Sequence, residues 1–553
     1  MKGEGSGRTC CDTVGEAGIG QSHRHSPVTV SRFVPPLMSF DRPPSFATAA
    51  RRPVLPPVLA LVTLLATLGA AVLFIEAFAV RVLGASSAPA LHVAVFFVAY
   101  DLATGLLLVA LVFRRLAADR DAEARSVAAP DPPPPVSVLI AAYNEARGGE
   151  TGGLVATVRA VAAQDGVPLE ILVGDDGSED GTCDAVVRAF GLAPTEDGYR
   201  GVIRRDDGVE VAIRALRFGH AGKGATLNAL ARRATHGVLV TLDADTSPGR
   251  LAVARLASAF VDPRVESAAG VVTVRNARSV LTRYQYAEYV KNSIVRVGWS
   301  ALGGLEQVPG AFCGVRADAF RAVGGFPTDS LTEDYELTYR LVDRGVALGA
   351  VPVVVTVPGA QAFTDVPVTL RGFVRQRTRW FAGFLSTLFR FRHLIGRPAA
   401  GGFGVVRLPF KLIDAVLPLL AFASLAVILR GVTSPVPSVS RFALGILIVR
   451  WTWDLAFYAA ALRLARQLGD PVDSGRGAPE AWRGWLCTAT EVLTYVWLKH
   501  ASVLRAYLWA ARRVRRWEPS REGALDAAAF GAPPHGLGAM VGSPQCAPPS
   551  VRS

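Results

Sequence analysis

Four apolar runs bracket a central stretch too polar to lie in lipid, and this division constrains the chain more than any other feature. Val54 to Val80 and Leu91 to Phe113 precede that stretch, and Leu412 to Leu429 and Phe442 to Leu462 follow it. A helix needs about 20 largely apolar residues to cross the hydrocarbon of a bilayer, so each run reads as a span. The chain has 553 residues, 50% of them hydrophobic, which is more than a water-facing surface of this size explains. A further stretch, Trp485 to Ala511, is apolar but interrupted by Glu491, Lys499, His500 and Arg505. It spans, re-enters or breaks. The chain thus reads as a multi-pass membrane protein of the plasma membrane.

The charges orient the spans. Arg51 and Arg52 precede the first run, Arg114 and Arg115 follow the second, and the turn between them carries Arg81 alone. Basic flanks stay on the cytoplasmic side, so the central stretch is expected in the cytoplasm. A formal net charge of +13 in a soluble protein would suggest nucleic acid. Here the basic residues gather beside apolar spans, so the expected partner is anionic membrane lipid and not nucleic acid. Glu76 and Asp101 sit near span ends. They are either functional intramembrane acids or acids that reach the headgroups. The six cysteines (Cys10, Cys11, Cys183, Cys313, Cys487 and Cys546) form no pairing framework and no C-x-x-C, which implies neither disulfides nor structural zinc.

The expected organisation has seven parts. Residues 1–50 are Gly-, Ser- and Pro-rich and read as disordered, 51–116 as a transmembrane hairpin, and 117–135 as a Pro-rich linker. Residues 136–368 form a catalytic domain and 369–411 lie in the membrane interface. Residues 412–516 form a C-terminal membrane region, and 517–553 read as a disordered tail. Within the catalytic part, Val136–Ala141, Glu170–Gly174 and Val238–Leu242 read as short buried strands. Residues 151–163, 181–190, 225–234 and 250–261 read as the helices between them. Such alternation means an α/β domain with a mostly parallel sheet covered on both faces. Ligands bind at the carboxyl ends of strands in sheets of this kind.

Polar clusters stand at those ends. Ala141-Ala142-Tyr143-Asn144-Glu145 follows the first strand, and Gly174-Asp175-Asp176-Gly177 opens the cluster after the second. Asp175 and Asp176 suit hydrogen bonds from a base and a ribose, although a tight turn before a capped helix uses the same residue types. Asp243 and Asp245 leave the third strand one residue apart. Paired carboxylates there can share a hard divalent cation with a substrate phosphate. Gly222-Lys223-Gly224 places a cation and flexible backbone before a helix, without the spacing of a Walker loop. Thr332-Glu333-Asp334 supplies a candidate general base. Residues 370–394 mix aromatic and basic side chains as an interfacial helix does. On that helix Gln376, Arg379 and Trp380 can clamp a diphosphate and stack on a sugar, or form a membrane-anchoring belt.

In this order the clusters resemble the family-2 inverting glycosyltransferases, specifically the processive membrane synthases of cellulose, chitin, hyaluronan and poly-N-acetylglucosamine. The resemblance covers roughly residues 136–385 and ends in Gln-x-x-Arg-Trp. It implies a GT-A (Rossmann-like) nucleotide-sugar domain inserted between α-helical transmembrane segments. It also implies a UDP-sugar donor, Mg2+ or Mn2+ as cofactor, and a polysaccharide or lipid acceptor. By position, Asp175, Asp176, Lys223, Asp243, Gln376 and Arg379 would bind the nucleotide-sugar, and Asp243 and Asp245 the metal. Asp334 would be the base. Phe312, Cys313, Gly314, Glu333 and Trp380 would line the acceptor end. The H-A-K-A-G-N-L-N form of cellulose synthases is absent, which tilts the implied product toward an N-acetylglucosamine polymer or another glucan. The rival readings are a transferase that adds one or a few sugars to a lipid, and a membrane transporter with a nucleotide-binding domain.

Overall fold

A computed structural model describes residues 57–77, 80–81, 91–125, 132–146, 153–205, 207–468 and 481–514. The expectations for residues 1–50 and 517–553, and for Arg51 and Arg52, lie outside the described residues.

The catalytic part is built on β1 (Val136–Ala142), which pairs in parallel with β2 (Leu169–Asp175) on one side and β6 (Val238–Asp243) on the other. The register sets Ala142 opposite Asp175 and Ala141 opposite Asp243, so the acidic ends of β2 and β6 emerge together. β1 is also where the chain turns from building one half of the sheet to building the other. A switch point of this kind leaves a crevice at the carboxyl ends of its strands. Strand alternation sends Val136, Val138 and Ile140 to one face. There they meet α3 (Gly153–Ala162), α4 (Thr182–Phe190) and α6 (Ala252–Ser258) through Val158, Val186 and Leu256. Leu139 faces the other way, onto Leu227 and Leu230 of α5 (Lys223–Ala231), Phe320 of α8 (Ala317–Ala322) and Leu337 of α9 (Glu333–Ala347). Both faces are covered, as the apolar strand sequences require.

The sheet is mixed rather than mostly parallel. Its order is β3-β4-β5-β2-β1-β6-β9-β8-β10-β7, with β3 (Ala193–Thr195), β4 (Gly198–Arg204) and β5 (Glu210–Arg217) as an antiparallel margin. β5 returns to parallel pairing against β2. On the far side β9 (Phe312–Arg316) runs antiparallel to both β6 and β8 (Val265–Val274). β10 (Val353–Thr364) is parallel to β8, and β7 (Ser247–Pro248) closes that edge. Because β9 starts beside the end of β6, with Phe312 opposite Leu242, the loop ahead of β9 is brought to the same crevice.

The membrane part begins with α1 (Pro57–Ala77) and α2 (His92–Arg125) and resumes with α11 (Leu408–Val432) and α12 (Pro437–Leu468). Among the described residues three helices are long and apolar enough to cross a bilayer: His92–Ala118, Phe403–Val432 and Pro437–Gln467. α1 is apolar along its length and leaves Leu65 and Leu73 exposed, as α11 leaves Val416 and Leu419. Side chains of that kind suit contact with lipid. α2 stays helical to Arg125, where the sequence reading begins a linker at residue 117. Asp101 pairs with Arg450 of α12, which gives the acid of the second span a structural partner, and Glu76 lies 3.4 Å from His92. The ambiguous apolar stretch breaks into α13 (Ala481–Glu491) and α14 (Tyr495–Val514). Two of its interrupting charges are taken up by α7 (Val280–Ala301): Glu491 pairs with Lys291, and Lys499 lies 3.4 Å from Glu288. α10 (Leu370–Arg390) starts on a Thr369 cap and buries Phe373, Phe384 and Leu388.

Candidate functional site

The crevice is a cavity of about 570 Å³. It gathers eight of the residues the sequence singles out: Lys223, Asp243, Asp245, Glu333, Asp334, Gln376, Arg379 and Trp380. They come from the end of β6, the middle of α10 and the starts of α5 and α9, brought together from between Lys223 and Trp380 of the chain.

At the β6 end, Asp243 Oδ1 accepts from Lys223 Nζ at 2.6 Å, and Glu333 Oε1 stands 3.2 Å from the same ammonium. Burial works against the charge of Lys223. The three acids Asp243, Glu333 and Asp334 outweigh it and hold the lysine protonated above its ordinary range. Glu333, expected at the acceptor end, is therefore a counter-ion of Lys223. Asp245 accepts from Thr364 Oγ1 at 3.2 Å. Burial, reinforced by the neighbouring Asp243, pushes its carboxyl above the usual carboxylate range. Crowded acids of this kind attract a cation. No group of three or more His, Cys, Asp or Glu suited to a metal occurs among the described residues. A divalent ion on Asp243 and Asp245 would therefore take its other ligands from phosphate and water, which is how Mg2+ is ordinarily bound. The donor set fits.

Asp334 sits at the first turn of α9. Its Oδ2 accepts from Gly310 N at 2.7 Å and its Oδ1 from Tyr335 N at 2.8 Å. Burial and the adjacent Glu333 raise its pKa, with Lys223 and the two amides pulling the other way. A carboxylate so placed is more basic than a free aspartate, as a general base should be. Glycine at 310 eases this approach: a Cβ there would lie 3.1 Å from Asp334 Cβ and 3.3 Å from Lys223 Nζ.

α10 forms another wall. Gln376 and Trp380, one turn apart, both reach the cavity, and Gln376 Oε1 is buried without a hydrogen-bond partner. Arg379 is exposed and donates to Leu331 O at 3.1 Å. The Arg377 guanidinium lies 4.7 Å from the Trp380 ring centre and 2.8 Å from Glu288 of α7. Burial opposes the charge of Glu288, yet Arg377, Lys499 and the Tyr495 hydroxyl hold its carboxyl down to about 2. This buried group fixes the rotation of α10 that turns Gln376 and Trp380 inward.

Five expected residues lie elsewhere. Asp176 is buried, and its carboxylate accepts from Ala221 N at 2.9 Å, Gly222 N at 3.0 Å and Thr226 Oγ1 at 2.9 Å. Asp175 accepts from Ser178 N at 2.9 Å. Both acids are taken up in shaping the loops that lead to Lys223. Gly177, at φ +76°, lets His220 N approach to 2.8 Å of where a Cβ would stand. Above that loop Tyr143 and His220 pair their rings at 4.5 Å and leave them exposed, a surface on which a base can stack. Phe312, Cys313 and Gly314 lie within the sheet and do not line the cavity. Burial pushes the Cys313 thiol up to about 12, and its Sγ lies 2.9 Å from Thr241 Oγ1. A Cβ on Gly314 would strike the Phe260 ring at 2.8 Å.

Residues 137–323 match the family model described as Glycosyl transferase family 2, and residues 238–464 match that of Glycosyl transferase family group 2. The two matches overlap and run from β1 into α12. Residues 137–464 thus carry glycosyl transferase family 2 sequence. It is 27% identical over 257 residues to poly-beta-1,6-N-acetyl-D-glucosamine synthase of Staphylococcus aureus (strain COL), covering 46% of this chain and 56% of that protein. It is 28% identical over 269 residues to the probable glycosyltransferase YdaM of Bacillus subtilis (strain 168), covering 47% and 57%. The aligned part is thus just over half the length of these relatives. Among solved structures, mannosyltransferase PcManGT from Pyrobaculum calidifontis, in complex with GDP-Man and Mn2+, matches at a TM-score of 0.46 and 22% identity, over 68% of this chain and 98% of that one.

Proposed function

We propose that the chain is an inverting, membrane-embedded enzyme that transfers sugar from a cytoplasmic UDP-sugar to the end of a growing β-linked polysaccharide, of the N-acetylglucosamine or glucan type. The observation that carries this reading is the single cavity that holds the Asp243–Asp245 pair, the buried Asp334 and the Gln376–Trp380 face. The same cavity reaches Lys411 and Asp414 of α11 and Lys499 of α14, so an acceptor can enter it from the membrane part.

In this scheme the nucleotide lies along the β1–β2–β6 edge, with its base near Tyr143 and His220 and its diphosphate between Asp243, Asp245, Gln376 and Arg379. Asp175 and Asp176 act on it through the loop they shape. Mg2+ or Mn2+ held by Asp243 and Asp245 would supply Lewis-acid neutralisation of the leaving diphosphate. Arg379 adds a fixed cation there. Asp334 accepts the proton of the acceptor hydroxyl while that oxygen bonds to the anomeric carbon. The carbon–oxygen bond to the diphosphate breaks on the opposite face, and its electron pair leaves with UDP. An α-linked donor then gives a β-linked product with no covalent sugar on the enzyme. Phe312, Cys313 and Gly314 brace the end of β6 from within the sheet.

Product analysis tests the whole reading. Purified protein in liposomes, offered a panel of nucleotide-sugars, is expected to make a polymer from a UDP-sugar. A single glycolipid as the sole product would replace the polymer reading with the lipid-acceptor one. Trp380→Ala separates acceptor from donor. The lost stacking surface is worth roughly 1 kcal/mol beyond its buried area, so extension should fall about fivefold or more while hydrolysis of the donor by water persists. Equal loss of both activities would place Trp380 in the donor site. Topology supplies a third test. A reporter fused at Pro133 should read as cytoplasmic and one between α1 and α2 as external, and reversed signals would remove the cytoplasmic donor.

A further inference from the structure

Arg275, the residue after β8, has no part in the scheme above, yet it ties together three points around Asp245. Its amide donates to Thr364 O at 2.8 Å, which holds the ends of β8 and β10 side by side. Its guanidinium then spreads over three residues. Nη2 donates to Asp245 O at 3.1 Å, Nη1 to Ser247 Oγ at 3.0 Å, and Nε to Asp365 Oδ1 at 3.1 Å. Nη2 also stands 3.1 Å from Asp365 Oδ2, so the planar fork grips that carboxylate at both oxygens. Arg275 and Asp365 are exposed, and an exposed ion pair adds little to stability. What the fork supplies is placement.

Asp365 is the acid that the grip restrains. It lines the cavity together with Asp243 and Asp245, and it follows Thr364, whose hydroxyl lies 3.2 Å from Asp245 Oδ1. Its charge reaches Asp245, adding to burial and to Asp243 in raising that carboxyl. Turned toward an ion on Asp243 and Asp245, it would be a third carboxylate ligand. Mg2+ that works on phosphates is ordinarily held by one or two carboxylates and keeps its other positions for phosphate and water. A third acid would hold the ion without the nucleotide and take a position that the diphosphate needs. The guanidinium opposes this twice, by engaging Asp365 and by repelling a cation that arrives without phosphates. The turn at Asp245 has other anchors, since Ser247 and Pro248 pair with β10 and Thr364 bonds the Asp245 carboxylate.

We propose that Arg275 is a positioning residue of the metal site: by holding Asp365 off the ion it keeps the site at two protein carboxylates, so that the ion binds with the diphosphate and leaves with it. The proposal rests on the metal assigned to Asp243 and Asp245 and adds what keeps that metal exchangeable.

The test uses the full-length protein and Mn2+, followed by its paramagnetic resonance with and without UDP. In the wild type UDP should tighten Mn2+ binding. Groups that orient metal ligands shift metal affinity by about 10–100-fold. Arg275→Gln should therefore tighten the binding of Mn2+ without UDP by about tenfold and narrow the gap that UDP makes. Asp365→Asn alone should bind Mn2+ without UDP no more tightly than wild type. Added to Arg275→Gln, it should cancel most of the tightening. An arginine that only braced the fold would loosen the ion when replaced, and Asp365→Asn would not correct it. If Arg275→Gln is not recovered from the membrane, Arg275→Lys carries the same comparison with a smaller tightening, because one ammonium cannot serve all three partners. Unchanged or looser binding without UDP overturns the proposal. So does a tightening that survives Asp365→Asn in full, which would trace it to the lost charge of Arg275 alone. A wild-type protein that binds no Mn2+ even with UDP overturns instead the metal reading beneath it.

Discussion

Asp334→Asn is expected to lower sugar transfer by about 10²–10⁴-fold, the usual cost of losing a general base, while donor affinity stays close to wild type. The amide keeps the size of the carboxyl and can still accept from one of Gly310 N and Tyr335 N, which the carboxylate meets through Oδ2 and Oδ1 at 2.7 and 2.8 Å. It cannot take a proton. Donor affinity should hold because the groups assigned to the nucleotide, from Lys223 to Arg379, keep their own partners. The pH profile offers a second check. Burial and Glu333 raise the pKa of Asp334, and only its ionised form is a base. The acid limb of kcat/KM should therefore fall at a pH above the ordinary carboxylate range. Asp334→Glu should keep such a limb at reduced rate. Near-normal transfer by Asp334→Asn, in protein that inserts and binds donor normally, would leave Asp334 as the capping acid of α9 and nothing more.

What the sequence reveals follows from how local each signal is. β1, β2 and β6 are legible because short apolar runs end in acid and glycine, and each is found within a residue or two of its expected bounds. β4 and β5 are not, because their marginal position leaves alternate residues exposed and the sequence reads as loop. β10 is hidden by Pro358 and Gly359, where the pairing with β8 shifts register. The antiparallel β9 that makes the sheet mixed is a five-residue strand, too short to declare its direction. In the site, the acids at strand ends stand out as motifs. Arg296 and Asn292 do not, since polar residues on a helix usually mark its wet face. Only the fold shows that this face looks into a cavity. The charges in residues 485–511 mislead in the same way. Glu491 and Lys499 look like breaks in a span until Lys291 and Glu288, some 200 residues away, are seen to meet them. Phe312-Cys313-Gly314 fails in the opposite sense, because its residues read equally well as a buried strand, and that is what they form.

Removal of divalent metal is expected to abolish turnover, and added Mg2+ or Mn2+ to restore it. Lewis-acid stabilisation of a leaving diphosphate is worth several kcal/mol, and each 1.36 kcal/mol is a factor of ten in rate. The fall should therefore be on the order of 10³-fold or more. The two acids should not behave alike. Among the described residues Asp245 bonds through its side chain only to the hydroxyls of Thr364 and Thr246, so Asp245→Ala removes a ligand and little else. It should weaken donor binding and lower the rate, and excess Mn2+ should recover part of both. Asp243 is also the partner of Lys223 at 2.6 Å. Asp243→Ala leaves that ammonium to Glu333 and Asp334, so it should disturb the donor pocket even without metal, and excess Mn2+ should not repair it. Binding of Mn2+, followed by its paramagnetic resonance in the presence of UDP, reads the same site without catalysis. Both variants should bind more weakly than wild type. Full activity in excess chelator would remove the metal from the scheme and leave Lys223 and Arg379 to neutralise the diphosphate unaided.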